Sequence, residues 1–342
     1  MRRRALLGAA VLLTLALASP AAAASPASWA APQIKAVTAK GLMGGRPAAF
    51  RPNDALTWGE LTDLVGGLTG QSVPLSADPD TPVTIAQLDA QLVRGLGLLP
   101  AAREFSAGVR AAGLVPTRYF GTEVVARLIG LRVNHPASQD SLELGPDNVA
   151  TRAEAAYSAA HVLSFTGGEV ELIEGLAETF QLPAMAPLQR AVLQTAIGLV
   201  GYPYVWGGTS ELPQDPFGTG TQVPGGFDCS GFAWRIYKLQ AYPGADALPG
   251  TLKGRTTYAM SGEVPVAQRI PLPQLQPGDL LFFGPLGPKS KPSQIDHMGV
   301  YLGNGWFVQA SDQGVALAPL TSDWYAKRFA WARRPLAEAG LA

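Results

Sequence analysis

Gly226-Phe227-Asp228-Cys229-Ser230-Gly231-Phe232 is the stretch that decides how the C-terminal half of this chain folds. Asp228 is a good helix N-cap residue, and Phe232, Ala233, Ile236 and Tyr237 behind it recur at helical spacing. Cys229 therefore falls in the first turn of a helix. Free amides and the positive end of the helix dipole lie there, and both favour a thiolate. A free thiol titrates near ~8.5, and such a position is expected to lower it by one or more units. Cys229 is the one cysteine among 342 residues. It has no internal disulfide partner, so it is either buried and inert or kept for reactivity. Its surroundings point to reactivity.

A thiolate nucleophile needs a proton-handling partner within hydrogen-bond reach. The C-terminal half has one histidine, His297; the other two, His135 and His161, lie in the N-terminal half. His297 starts the alternating run Met298-Gly299-Val300-Tyr301-Leu302, Gly303-Asn304-Gly305 forms a turn, and Trp306-Phe307-Val308-Gln309-Ala310 returns. A two-residue Asn-Gly loop sets Val300 opposite Gln309. A three-residue loop with Gly305 left-handed sets Val300 opposite Val308, Met298 opposite Ala310 and Leu302 opposite Trp306. The second register makes one face wholly apolar and puts His297 and Gln309 together on the other, as diagonal neighbours. It is the register predicted here. Gln309 is then placed to accept from the imidazole and fix its tautomer, more weakly than a carboxylate would.

Upstream lie Gly201-Tyr202-Pro203-Tyr204-Val205-Trp206-Gly207-Gly208, and downstream lie Arg255-Thr256-Thr257, Pro277-Gly278-Asp279-Leu280 and the closing Ala332-Arg333-Arg334. Taken in order with the cysteine and histidine motifs, this set resembles the NlpC-type family of bacterial cell-wall endopeptidases, a papain-like group. The resemblance runs from about Ala191 to Arg334. It implies an α+β domain in which the Cys229 helix packs on an antiparallel sheet. It implies Cys229 as nucleophile, His297 as base and Gln309 as the third polar residue. Tyr204 is implied to aim its hydroxyl at the cysteine, and Asp228, Ser230 and Arg255 are implied on the substrate side, Asp228 and Ser230 holding a free amine in some members. The substrate implied is the peptide stem of peptidoglycan, often cut between D-glutamate and the diamino acid.

Residues 209–225 are an insertion relative to that pattern. The stretch is rich in Pro, Gly and Thr and reads as a loop that starts and ends near the predicted site. It is either a wall over the groove or a solvated surface loop. Asp228 serves at least as a cap, Tyr204 could be a packed aromatic, Trp206, Trp306 and Trp324 read as core or groove wall, and Asp279 reads as a turn residue. No His/Cys/Asp cluster has metal-ligand spacing and no phosphate loop is present, so no metal and no cofactor is expected.

The N-terminal half has a different texture. Thr57-Trp58-Gly59-Glu60, Thr84-Ile85-Ala86-Gln87 and Thr151-Arg152-Ala153-Glu154 each read Thr-x-x-Glu/Gln before an apolar-periodic stretch, the signature of a capping box. Pro-Asn/Asp loops precede the first and third boxes, and helices ending at Gly41 and Gly113 lie further upstream. The unit resembles the S-layer homology repeat, which implies anchoring to cell-wall polysaccharide. Trp58 and Ile85 stand where that family has arginine, and the third unit is nearest its signature. A helical domain that only packs against the enzyme fits the residues equally well.

Arg2, Arg3 and Arg4, an apolar run from Ala5 to about Ala18, and Ser19-Pro20 with Ala21 to Ala24 describe a cleaved secretory signal. A transmembrane anchor needs roughly 20 apolar residues, more than this run supplies. The 26 basic and 26 acidic residues balance, which gives the chain no draw to nucleic acid or to an anionic membrane. The expected organisation is a signal peptide over 1–24, a mainly helical S-layer-homology-like domain over 25–165, a linker over 166–186 and the cysteine peptidase domain over 187–342. The expected activity is hydrolysis of peptidoglycan stem peptides by an exported protein of the cell wall, without nucleic acid or membrane as partner in the mature form. An amidase or acyl transferase on the same scaffold, or a non-catalytic wall-binding protein, are the alternatives.

Overall fold

A computed structural model describes residues 28–71 and 78–341. The secretory signal expected over 1–24 lies outside the described residues. Eight helices come first: α1 (Ala31–Ala39), α2 (Trp58–Thr69), α3 (Ile85–Gly95), α4 (Leu99–Ala111), α5 (Phe120–Leu128), α6 (Arg152–Val162), α7 (Gly168–Glu178) and α8 (Pro187–Gly198). The short strands β1 (Thr209–Ser210) and β2 (Gly226–Phe227) lead into α9 (Cys229–Trp234), followed by α10 (Thr257–Gly262). Then come β3 (Leu280–Phe283), β4 (His297–Gly303), β5 (Trp306–Ser311), β6 (Gly314–Pro319), α11 (Asp323–Arg328) and β7 (Phe329–Arg333). The last five strands make one antiparallel sheet in the order β6-β5-β4-β3-β7, and α9 packs on it.

In the N-terminal half, the threonines begin helices as their spacing requires. Thr57 and Thr84 close full capping boxes with Glu60 and Gln87. The third box is only half made. Thr151 accepts from the Glu154 amide at 3.2 Å, but the Glu154 carboxylate faces Arg132 instead of the N-cap amide. The residues just before the three caps meet in a closed ring of main-chain hydrogen bonds. The Leu56 amide donates to Ala150 at 2.8 Å, Ala150 to Val83 at 2.9 Å, and Val83 to Leu56 at 3.0 Å. Neighbouring stretches of the chain also take the first two amides of each helix, Trp58 and Gly59 donating to Thr81 and Pro79, Ile85 and Ala86 to Asn148 and Pro146, and Arg152 and Ala153 to Asp54 and Pro52, amides that a lone helix start leaves open.

The two halves share a buried core. Trp306 of β5 stands edge-on to Phe105 of α4 and to Phe180, with centroids 5.7 and 5.0 Å away. The segment 166–186 that joins the halves carries α7 and packs on α4. A second apolar layer, with Leu281, Phe283, Phe307 and Phe329, covers the other face of the sheet.

The β4–β5 turn differs from the expected one. Val300 pairs with Val308 as predicted, but Gly303, not Leu302, pairs with Trp306. The loop is two residues long, with Asn304 and Gly305 both at positive φ (48° and 81°), the pattern of a type I′ hairpin turn. A bulge between Tyr301 and Gly303 adds the residue that restores the register, so the apolar and polar faces are those anticipated. Gly303 supplies the bulge at φ 115°, a backbone conformation that glycine adopts without a Cβ penalty.

Candidate active site

Asp228 has extended backbone and caps α9, its Oδ1 accepting from the Gly231 amide at 2.5 Å and the Ser230 hydroxyl at 2.9 Å. Cys229 is the first residue of that helix. Gly231 has to be glycine, because a Cβ there would lie 1.8 Å from the Gly208 carbonyl oxygen. The Cys229 turn is thereby pressed directly onto the Gly207-Gly208 segment.

The helix start was expected to lower the thiol. The structure reverses that expectation. Burial first, and the Asp228 carboxylate second, push Cys229 up to about 12, against the Ser230 and Met298 amides and Arg255, which favour the thiolate. Desolvation wins because Cys229 lies inside the packed groove floor. The Met298 amide aimed at the sulfur sets the nucleophile one residue from His297.

His297 is the first residue of β4, opposite Phe283 of β3. Its Nε2 lies 2.5 Å from Gln309 Oε1, across the hairpin. That contact puts the ring proton on Nε2 and leaves Nδ1 as the free base. The amide end of Gln309 donates in turn to the Tyr325 hydroxyl of α11. Phe283, Trp324 and Tyr325 surround the imidazole at centroid distances of 5.8, 5.8 and 6.2 Å. Burial lowers its pKa from the ordinary value, only partly offset by the Gln309 hydrogen bond. Burial thus favours the neutral form of both the Cys229 thiol and the His297 imidazole.

Above Cys229 is an open groove of about 840 Å³. Tyr204, Trp206, Ser230, Arg255 and Thr257 line it, and so do Pro216 and Phe217 of the insertion, which pack against Gly207. Burial, with Cys229 and Asp228 close by, holds the Tyr204 hydroxyl far above its usual range. Arg255 binds Asp228 Oδ1 at 3.2 Å, Ser230 Oγ at 2.7 Å and the Gly207 carbonyl at 2.9 Å. Asp228 Oδ2 also accepts from the Gly207 amide at 2.9 Å. Among the described residues no cluster of three or more His, Cys, Asp or Glu side chains is placed to hold a metal ion.

Residues 201–334 match the NlpC/P60 family. Those residues form an NlpC/P60 domain. Residues 22–62 match the S-layer homology domain, so that match falls on the first of the three units and not on the third, which the signature favoured. The chain is 34% identical over 143 residues to the probable peptidoglycan endopeptidase LytE of Bacillus subtilis, covering 42% of this chain and 33% of LytE. It is 30% identical over 149 residues to the gamma-D-glutamyl-L-lysine dipeptidyl-peptidase of Bacillus subtilis, covering 43% of this chain and 41% of that protein. A crystal structure of an NlpC/P60 family protein from Bacillus cereus aligns with 27% identity and a TM-score of 0.33, over 46% of this chain and 42% of that one. The chain spans between a third and about two-fifths of the length of these curated relatives.

Within the NlpC/P60 domain five of the seven residues singled out from sequence share one groove, and the other two contact each other. Tyr204, Asp228, Cys229, Ser230 and Arg255 line the groove, and Gln309 touches His297 beside it. Asp279 is a buried turn residue, accepting from the Gln276 amide at 2.8 Å and from Arg334 at 2.7 Å. The insertion is an ordered arm. Gln214 and Val223 exchange main-chain hydrogen bonds at 2.9 and 2.8 Å, Asp215 folds the tip, and Glu211 pairs with Arg235 at 2.9 Å. Tyr325 was missed, since nothing in the spacing of Ser322-Asp323-Trp324-Tyr325 points it at Gln309. Asp140 was missed too, because it comes from the other half of the chain.

Proposed function

We propose that the chain is an exported cysteine endopeptidase that hydrolyses peptidoglycan stem peptides, at the bond between D-glutamate and the diamino acid. The observation that carries this reading is the Cys229, His297 and Gln309 arrangement at an open groove. The arm 209–225 walls the groove and leaves it open, which favours an enzyme over a protein that only binds the wall. The named activity of the gamma-D-glutamyl-L-lysine relative supports the choice of bond.

The chemistry follows from the resting protonation states. His297 Nδ1 takes the thiol proton as the sulfur attacks the peptide carbonyl carbon, so thiolate and imidazolium form together only with substrate in place. The Cys229 amide, the first of α9, has no intrahelical acceptor and is available to the developing oxyanion, whereas the Gly231 amide is taken by the Asp228 cap. His297 then gives its proton to the leaving amine, and water hydrolyses the thioester with His297 again as base. Gln309, itself held by Tyr325, keeps the ring in the productive tautomer throughout.

The helical half, read as a three-unit S-layer homology domain over 25–165, is proposed to hold the enzyme at the wall through polysaccharide. Its own groove of about 770 Å³ includes Arg46, Phe50, Arg51, Glu60 and Arg152. Among the described residues no helix is long and apolar enough to cross a membrane. The test is digestion of purified peptidoglycan and free stem peptides by wild type and Cys229→Ala, with products weighed by mass spectrometry. Cleavage between D-glutamate and the diamino acid by wild type alone is expected. Release of whole stems from the sugar would make it an amidase, and no cleavage by either protein would sink the enzymatic reading.

A further inference from the structure

The groove wall 204–207 is not held by the NlpC/P60 domain alone. Consider four successive amides. Val205 donates to the Phe227 carbonyl at 3.2 Å, Gly207 to Asp228 Oδ2 at 2.9 Å, and Gly208 to the Val205 carbonyl at 2.9 Å. All three acceptors lie in the same domain. The fourth amide, Trp206, donates to Asp140 Oδ2 at 3.1 Å, and Asp140 belongs to the helical half. Asp140 is 6% exposed and sits in a 3₁₀ turn, Ala137–Leu142. The loop around it is braced by Glu143, which accepts from the His135 amide at 2.6 Å and lies 3.2 Å from His135 Nδ1.

A second grip lies at the start of the same segment. Arg127 of α5 donates to the carbonyls of Gly201 and of Gln313, in the β5–β6 turn. Its guanidinium is buried beside Glu123, 3.4 Å away, so it has one well-defined place. The helical half thus holds the Gly201–Gly208 stretch at its beginning and at its apex. That stretch presents Tyr204 and Trp206 to the groove above Cys229.

We propose that Asp140 is a positioning residue for this active site: it fixes the Tyr204–Trp206 wall through the Trp206 main chain, and the helical half thereby completes the substrate groove. Small displacements of a positioning group lower rates steeply, by as much as about 100-fold for about 1 Å. The role needs an acceptor at the position of Oδ2, and asparagine keeps one while alanine does not.

The proposal rests on the hydrolase reading for its kinetic arm only. The full chain is compared with Asp140→Ala and Asp140→Asn, with circular dichroism as the check on folding; should the alanine variant not fold, Asp140→Leu, which keeps the volume, replaces it. Three quantities are read: kcat/KM on the stem peptide L-Ala-γ-D-Glu-diaminopimelate-D-Ala, hydrogen exchange of the Trp206 amide, and the alkylation rate of Cys229 by iodoacetamide. Asp140→Ala is expected to lose about tenfold or more in kcat/KM, to exchange Trp206 faster by a similar factor, and to alkylate faster as the wall loosens. Asp140→Asn is expected to recover most of all three. Unchanged Trp206 exchange and kcat/KM in Asp140→Ala would overturn the proposal, and so would equal losses in both variants with Trp206 still protected. If wild type turns over no stem peptide, the proposed function fails, and exchange and alkylation still decide this inference.

Discussion

Removing Gln309 is the sharpest perturbation of the proposed machinery. The imidazole of His297 is half-buried, and its Nε2–H has the Oε1 of the buried Gln309 as partner at 2.5 Å. Gln309→Ala takes that acceptor away and leaves the donor unpaired, which costs about 1–3 kcal/mol. The cost falls on the ring orientation that the reaction uses, because a ring turned or re-tautomerised to escape it no longer aims Nδ1 at the thiol. At 1.36 kcal/mol per tenfold, kcat should fall by roughly 5- to 150-fold, with a water in the vacated space setting the low end. Gln309 does not line the groove, so KM should hold. Gln309→Glu tests the same contact in the other direction. A carboxylate beside the ring stabilises the imidazolium and raises its pKa by about 1–3 units. The base is then protonated over a wider range, and the acid limb of kcat/KM moves up in pH. The Tyr325 hydroxyl can turn to donate to the new oxygen, so the fold tolerates the change. The assay is steady-state hydrolysis of a stem peptide from pH 4 to 9 for the three proteins. A Gln309→Ala enzyme with kcat within twofold of wild type, or one that loses only in KM, would refute the orienting role.

Three further outcomes follow from the same geometry. His297 must be neutral to accept the thiol proton and burial lowers its pKa, so activity should persist at neutral pH and fall only as pH drops through a value below 6.5; a wild-type inflection above that value would count against the assignment. Trp206 and Phe217 line the groove and are 55% and 62% exposed, so Trp206→Ala or Phe217→Ala should raise KM several-fold with kcat kept, and an unchanged KM in both would return the arm to the status of a surface loop. Arg127→Met removes one partner of the buried pair with Glu123, which burial and Asp89 push up to about 8, and frees the Gly201 and Gln313 carbonyls. Each of those two carbonyls left without a donor costs about 1–3 kcal/mol, so unfolding stability should fall by about 2–6 kcal/mol in urea titration, and a loss below about 1 kcal/mol would show that the grip contributes little.

What could be read from sequence is what local rules govern. Capping chemistry placed the starts of α2, α3, α6 and α9, because an N-cap threonine or aspartate acts on amides two or three residues away. The His297–Gln309 pairing was legible because period-two alternation constrains which residues share a face, even though the turn was misread. A two-residue turn plus a bulge and a three-residue turn deliver the same faces, so the apolar pattern selects the register without selecting the loop. The thiol was misread for a different reason. Helix-start amides act over one turn and can be inferred from Asp228 and Cys229 alone, whereas desolvation is set by everything packed around the sulfur, including Met298 from a strand far along the chain.

The same division explains what escaped notice at the site. Tyr325 and Asp140 act over long sequence separations, on Gln309 and on the Trp206 amide, and neither carries a spacing that marks it. Both are also second in line, Tyr325 holding the residue that contacts His297 and Asp140 holding a residue that lines the groove. Such residues are chosen by where two elements meet in space, so their type is constrained but their position in the chain is free. In this chain the meeting place lies between a helical half and an NlpC/P60 half. The proposed catalytic pair can therefore be recognised within residues 201–334, while Arg127 and Asp140, which bind the Gly201 carbonyl and the Trp206 amide of the groove wall, lie upstream of that match.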